Sequence, residues 1–329
     1  MINLSEFLKK NKIKILFVVA ALFFICSALL GIAFGSVDFN LNELLFGSGV
    51  YVFMYVRLPR VLACVLTGSA LSVSGCIIQS VLSNRLASPG IIGVNSGAGL
   101  LVTIATACGM YGGWQTALSS FIGAFGAALL LTLGASRWGM KKGTVILMGV
   151  AMNSFFGAIS SAIVTLCPDV GVMSNDFKVG DFSGVTYSRI IPSGIVICVV
   201  LVISFLISNS IDVISLGDSR ASSVGMNVKA ARPMLLMLAA LLAGCAVSIS
   251  GLLSFVGLVI PHIVRMMGVS RSSSLMPLSA LMGGGFVCIC DLAARTMFAP
   301  YEVPVGIIMA FIGAPFFVVL LSRKEKGHA

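Results

Sequence analysis

The sequence predicts an all-α, polytopic membrane protein of ten transmembrane helices with inverted repeats. Three observations predict it. Hydrophobic residues make up 58% of the chain and charged residues 10%, where a soluble domain carries about 25% charged residues. Ten apolar segments follow one another, with rough limits 13–34, 61–82, 91–108, 116–136, 144–166, 190–208, 232–249, 252–268, 275–298 and 303–321. The basic residues alternate in density between the connecting loops. With the N-terminus inside, 16 of the 21 Lys and Arg fall on inner positions and 5 (Arg57, Arg60, Lys178, Arg189, Arg295) on outer ones. That bias is the expected mark of orientation in a membrane, and it places both termini in the cytoplasm. No loop is long enough for a further folded domain, so residues 1–329 form one membrane domain.

Lys9, Lys10, Lys12 and Lys14 precede an apolar run of about 20 residues, too long for a secretory leader and without a small-residue cleavage site, so it reads as an uncleaved first span. The second span opens at Arg57 with RLPR and carries Gly68, Ser72, Gly75, Gln79 and Ser83 on one helical face. Such a stripe suits either tight packing against other helices or the lining of a path. A polar turn from Ser83 to Pro89 follows, and Gly93 and Gly97 then form a GxxxG pair. The fifth span bears a small and polar face of Gly149, Asn153, Gly157 and Ser160, again a packing face or a path. Met234–Met267 is too long for one crossing, so a turn is expected at Ser248–Ser254. Gly283–Gly285, and Gly306 with Ala310 and Ala314, offer close approach on the last two spans, and Pro261, Pro304 and Pro315 are expected to kink or start helices.

Two loops stand out. The outer loop from Leu166 to Ile190 holds Asp169, Asp176 and Asp181. The inner loop from Asn209 to Arg232 contains two short helix-like pieces broken at Gly217 and Gly225. It is either a plain connector or a docking surface for a cytoplasmic partner, and a connector needs no such pieces. The segments SPGIIGVNSGAG (88–99) and SGLLSFVGLVIPH (250–262) hold corresponding places in two halves offset by five spans, so the halves run in opposite directions. Inverted repeats of this kind are common in transporters.

The net charge of +10 follows from membrane orientation and does not call for nucleic acid. The nine cysteines lie almost all in apolar segments without a CxxC or Cys/His pattern, so neither a metal site nor a disulfide framework is expected. No GxxxxGK[ST] motif occurs, since GMKKGT at Gly139 has the wrong order, and no HExxH, GxSxG or paired-carboxylate motif is present. Asp291 is the clear intramembrane acid, and Arg295 lies four residues on along the same face, a local ion pair with the arginine snorkelling outward. His262 is expected to pack against another helix, and Arg265 to reach the headgroups. One paired acid is thin provision for an ion-coupled secondary transporter, which remains the alternative reading.

The stretch RLPRVLACVLTGSALSVSGCIIQSVLSNRLASPGIIGVNSGA (57–98) closely resembles the signature of the FecCD family of ABC importer permeases. FGSVDFNLNELL (34–45), LGDSRASSVGMN (216–227), LLSFVGLVIPHIVRMM (252–267) and DLAARTMFAPYEVPVGIIMAFIGAPFF (291–317) continue the resemblance along nearly the whole chain. It implies a type II ABC importer permease fold in the cell membrane, paired with a second copy or a paralogue around a central path. It implies an ATPase on the cytoplasmic face, a substrate-binding protein on the outer face, and an iron–siderophore, haem or cobalamin substrate. No cofactor is expected on this chain, ATP being used by the partner. Within a coupling segment at about 212–229, the residues matched to the ATPase contact are Leu216, Gly217, Asp218, Ser219, Arg220, Ala221, Ser222, Val224, Gly225, Met226 and Asn227. Arg57, Arg60 and Arg295 match positions that dock the binding protein. Ser72, Gly75, Gln79, Gly93, Gly97, Asn153 and Gly157 are the pathway or packing candidates. Two departures stand out: Arg85 replaces the proline that usually follows the asparagine of the polar turn, and GASRWGMKKGT (134–144) is unusually basic.

Overall fold

The computed structural model describes residues 4–35, 49–110, 112–299 and 301–325, and their regular structure is entirely helical. Most of the 34–45 motif lies outside these residues. Seven helices are long and apolar enough to cross a membrane: α1 (Leu4–Ala33), α2 (Val50–Val81), α4 (Gly113–Arg137), α5 (Lys142–Leu166), α8 (Tyr187–Leu206), α11 (Val228–Ser250) and α13 (Ser272–Thr296). Three apolar helices are shorter in their apolar part: α3 (Val94–Ala107), α12 (Val256–Met266) and α14 (Val305–Glu325). These ten fall on the ten predicted segments. Four short helices occupy the two distinctive loops: α6 (Pro168–Met173) and α7 (Asn175–Val179) in one, α9 (Ser208–Ser215) and α10 (Asp218–Ser223) in the other.

Helix α2 begins at Val50, well before the predicted start at 61. Its charged RLPR sequence does not end the helix, because the arginines find partners inside the protein. A π-helical stretch, Phe53–Arg57, falls directly before Pro59, whose ring lacks an N–H and crowds the carbonyl of the residue four earlier. The widened turn absorbs that defect and sets the direction of Arg57 and Arg60.

The core is built around α2 and α11, which pack on each other. Helix α13 lies along α2, and α4 lies along α11. Helix α3 packs between α4 and α5, and α12 packs against α13 and α14. With almost no hydrophobic force between helices in lipid, small residues set these distances. A Cβ on Gly68 would strike the Gly283 carbonyl of α13, and one on Gly75 would strike the Gly257 carbonyl of α12. Gly284 and Gly285 face Phe24 and Phe23 of α1, so the glycine run of α13 serves a neighbour on each side. Buried hydroxyls stitch the same contacts: Ser69 Oγ donates to Ala280 O at 2.8 Å, and Ser74 Oγ to Ala239 O at 2.7 Å.

The predicted turn within 234–267 is present. Helix α11 ends at Ser250, Gly251 takes a positive φ of 71°, and α12 starts at Val256. Residues 177–182 close over this turn: Leu252 N donates to Phe177 O at 2.8 Å, and Asp181 N to Ser250 O at 2.9 Å. Helices α3 and α12 begin alike, each from a left-handed residue, Gly93 (φ 86°) and Phe255 (φ 66°). A left-handed aromatic residue is strained, and the Phe255 ring is held against Gly313 of α14.

Candidate functional site

Three regions gather the residues singled out by the sequence. The first is the end of the bundle where α4 turns into α5. There α9 and α10 form the two predicted short helices, with breaks at Gly217 (φ 101°) and Gly225 (φ 89°). Ile211 and Ile214 of α9 and Ala221 of α10 are buried and anchor the segment. Asp218, Ser219, Arg220, Ser222 and Asn227 are exposed, while Gly217 and Met226 are half-buried. Leu216 and Val224 are 53% and 70% exposed, an apolar pair left open by the described residues. Asn227 caps α11, its side chain accepting from Ala230 N at 3.3 Å. Asp218 accepts from Arg232 and lies 3.6 Å from Lys142 Nζ. The Arg232 hydrogen bond holds the Asp218 carboxyl below the usual carboxylate range, with Lys142 adding to the effect. Lys142 Nζ also donates to Ser83 Oγ at 2.7 Å, which joins the polar turn after α2 to the start of α5.

The second region is the opposite end. Arg57, Arg60 and Arg295 are 3%, 4% and 3% exposed. Arg60 Nε lies 3.0 Å from Asp291 Oδ1, and Arg60 Nη1 lies 2.7 Å from Glu302 Oε2. Arg295 Nε lies 3.1 Å from Asp291 Oδ2, so the predicted i,i+4 pair is formed. The arginine does not snorkel, however: Arg295 Nη2 turns inward and donates to Gly31 O at 3.0 Å. Arg57 Nη1 donates to Ile32 O and Ala33 O at 3.0 and 2.6 Å. These carbonyls belong to the last turn of α1, where acceptors lack intrahelical partners and the helix dipole is negative. Two arginines thus cap α1, and a four-residue charge network ties α2 to α13 and to the approach to α14. Sequence reasoning missed Glu302 and the Arg60–Asp291 link. The partners are 231 residues apart, so spacing gives no sign of them.

The third region is the middle. Ser72 and Gly75 are buried, and Ser72 faces Gly283. Gln79 Nε2 donates to Gly257 O at 3.1 Å, and Gln79 Oε1 accepts from Arg265. Arg265 is therefore turned to α2 rather than to the headgroups, because the buried amide supplies an acceptor. His262 packs edge-on against Phe316, the ring centroids 6.4 Å apart. Gly97 meets Gly123 of α4, but Gly93 is the turn residue ahead of α3, so GxxxG is not one packing face. Asn153 of α5 donates to Gly90 O at 2.9 Å and accepts from Ser96 Oγ at 2.6 Å, while Gly149 abuts Ile91 O. Gly157 is exposed, with open space where a Cβ would stand. A cavity of about 250 Å³ separates the two loops that precede α3 and α12, with Ser88, Pro89, Asn95, Ser254 and Phe255 among its walls.

The profile of the FecCD transport family matches residues 19–323. The iron(3+)-hydroxamate import system permease protein FhuB of Bacillus subtilis is 35% identical over 95% of this chain and 84% of its own length. The hemin transport system permease protein HmuU of Yersinia pestis is 32% identical over 84% of each chain. A solved structure, described as an inward-facing conformation of a metal-chelate type ABC transporter, superposes with a TM-score of 0.86 at 27% identity. It covers 94% of this chain and 99% of its own. A multi-span helical bundle with small-residue packing, matched over nearly its full length in sequence and in shape, belongs to the FecCD transport family of ABC importer permeases.

Proposed function

We infer that this chain is one membrane subunit of an importer that carries an iron–siderophore, haem or cobalamin substrate, and that it crosses the membrane ten times with both ends in the cytoplasm. The observation that carries this reading is the family match over 19–323. Relatives serve import of ferric hydroxamate, hemin and vitamin B12, which supports that substrate class. Two halves running in opposite directions account for the paired beginnings of α3 and α12, and for the exchange by which α2 takes α13 while α11 takes α4.

Energy enters from outside the chain. An ATPase docks on Leu216–Asn227, where Leu216 and Val224 offer apolar surface anchored from beneath by Ala221. A second copy, or a paralogue, packs beside α5, whose exposed face includes Ser154, Gly157 and Ser161, and the substrate passes between the two. A binding protein delivers substrate at the other end. Arg57, Arg60 and Arg295 stand there, but their internal bonds assign them first to joining α1, α2 and α13. Arg57→Gln separates the two roles. Weaker, less salt-sensitive binding of the delivery protein at unchanged thermal stability supports docking. A parallel fall in stability assigns the residue to the fold alone. The subunit reading is tested by ATPase assays: Leu216→Ser with Val224→Ser should cut binding of the partner ATPase at least tenfold while leaving the permease folded.

A further inference from the structure

Beside the coupling segment lies a cavity of about 520 Å³, walled by the end of α4, the α4–α5 turn, α10 and the first turns of α11. Arg137, Lys141, Lys229 and Arg232 line it, with Asp218 and the Ser222 hydroxyl on the α10 side. That is four cations to one carboxylate, and the carboxylate is already engaged by Arg232 and Lys142. Arg137, Lys141 and Lys229 are exposed and form none of the salt bridges found among the described residues. Arg232 Nε is buried and has no hydrogen-bond acceptor among those residues. A surplus of cationic donors around a concave space is the arrangement that receives a phosphate group. The volume lies within the usual range of roughly 300–1,000 Å³ for ligand pockets.

What lies next to the cavity indicates the source of the phosphate. Arg137 closes one membrane-length helix and Lys142 opens the next, so the turn between them stands where two spans emerge. Trp138 in that turn is 67% exposed, the placement of an aromatic anchor at headgroup level. Leu130 and Leu133 of α4, 58% and 56% exposed, lie two turns and one turn before Arg137 on the same outward side. They make an apolar track that leads to the cationic cavity. A free anion has no use for such a track, whereas an acyl chain has.

We propose that this cavity binds the headgroup of an anionic phospholipid, its phosphate held by Lys141, Lys229 and Arg232 and its acyl chain laid along Leu130 and Leu133. Because Asp218 and Ser222 form one wall, an occupied cavity sets the position of α10 and links lipid composition to the coupling segment. Basic pockets at the inner ends of spans are a recurrent form of headgroup recognition.

The test uses the full chain in neutral detergent with Trp114→Phe, which leaves Trp138 as the one tryptophan of the two in the sequence. Short-chain phosphatidylglycerol and phosphatidylcholine of equal chain length, and inorganic phosphate, are titrated against Trp138 fluorescence. The expected result is saturation by phosphatidylglycerol at a concentration at least tenfold below phosphatidylcholine. Lys141→Gln with Lys229→Gln should raise the half-saturation point at least tenfold, and Lys141→Arg with Lys229→Arg should restore it, at unchanged thermal midpoints. Equal response to both lipids overturns the proposal. So does an unchanged curve in the Gln variant, or the same saturation by inorganic phosphate alone. A Gln variant that weakens only partner ATPase binding overturns it too, and identifies a protein-docking patch.

Discussion

Gly75 and Gly157 show how differently the same residue type is used in this chain. A Cβ at Gly75 would collide with the backbone carbonyl of Gly257, while a Cβ at Gly157 meets nothing within 4 Å. Gly75→Ala is expected to destabilise the protein by about 1–3 kcal/mol through overpacking, and Gly157→Ala, inside helix α5 with room for the methyl, to leave stability unchanged or raise it by up to about 1 kcal/mol; thermal unfolding in detergent checks both. Asp291 is held between Arg60 and Arg295 at 1% exposure. Asp291→Asn leaves the buried Arg295 guanidinium without its counter-charge and Arg60 with Glu302 alone, so a loss of about 3–5 kcal/mol is expected. Transport lost without that fall in stability would instead indicate an ion-coupling acid. Asp218 gives a pH prediction with a definite sign. Its folded pKa is depressed, so its contribution is present above the ordinary carboxylate value of about 3.9 and is lost as pH falls through the lower folded value. Thermal midpoints between pH 7 and pH 3 should show an acid step that Asp218→Asn diminishes. The glycine stripe of α2 was legible in the sequence because helical spacing is local. The partners of Arg60 and Arg265 were not, because tertiary packing alone brings Asp291 and Gln79 to them.

Among the elements, α9 and α10 are the clearest case of legible structure. Gly217 and Gly225 punctuate a polar stretch, and both take the positive φ that glycine permits. What the sequence did not disclose is the anchoring of α10 through buried Ala221 and through Asp218 to α11 and α5. Ala221→Glu is expected to dislodge α10, giving faster hydrogen exchange over residues 216–227 while the α2–α13 core keeps its protection; unchanged exchange would contradict the anchoring. Helix α2 starts at Val50 rather than at 61 because its charges, which read as a helix end at a membrane surface, are taken up inside the protein. Here the charges are neutralised by Asp291, Glu302 and the last turn of α1. The loop from Leu166 to Ile190 is equally opaque: nothing local signals that Phe177 O receives Leu252 N.

At the scale of the whole molecule, the chain is a helical scaffold whose two ends are specialised. One end carries the short helices α9 and α10 and a cationic cavity, the other a sealed network that locks three helices together. The sequence carries no GxxxxGK[ST] motif, and the proposed function assigns ATP hydrolysis to a separate subunit. The direct measurement is uptake into vesicles that hold the purified permease and its partner ATPase, with the binding protein outside. Uptake of a ferric hydroxamate, haem or cobalamin should depend on both ATP inside and the ATPase, and should vanish when either is omitted, whatever proton or sodium gradient is imposed. Substrate accumulation driven by an ion gradient in vesicles lacking the ATPase would contradict the account.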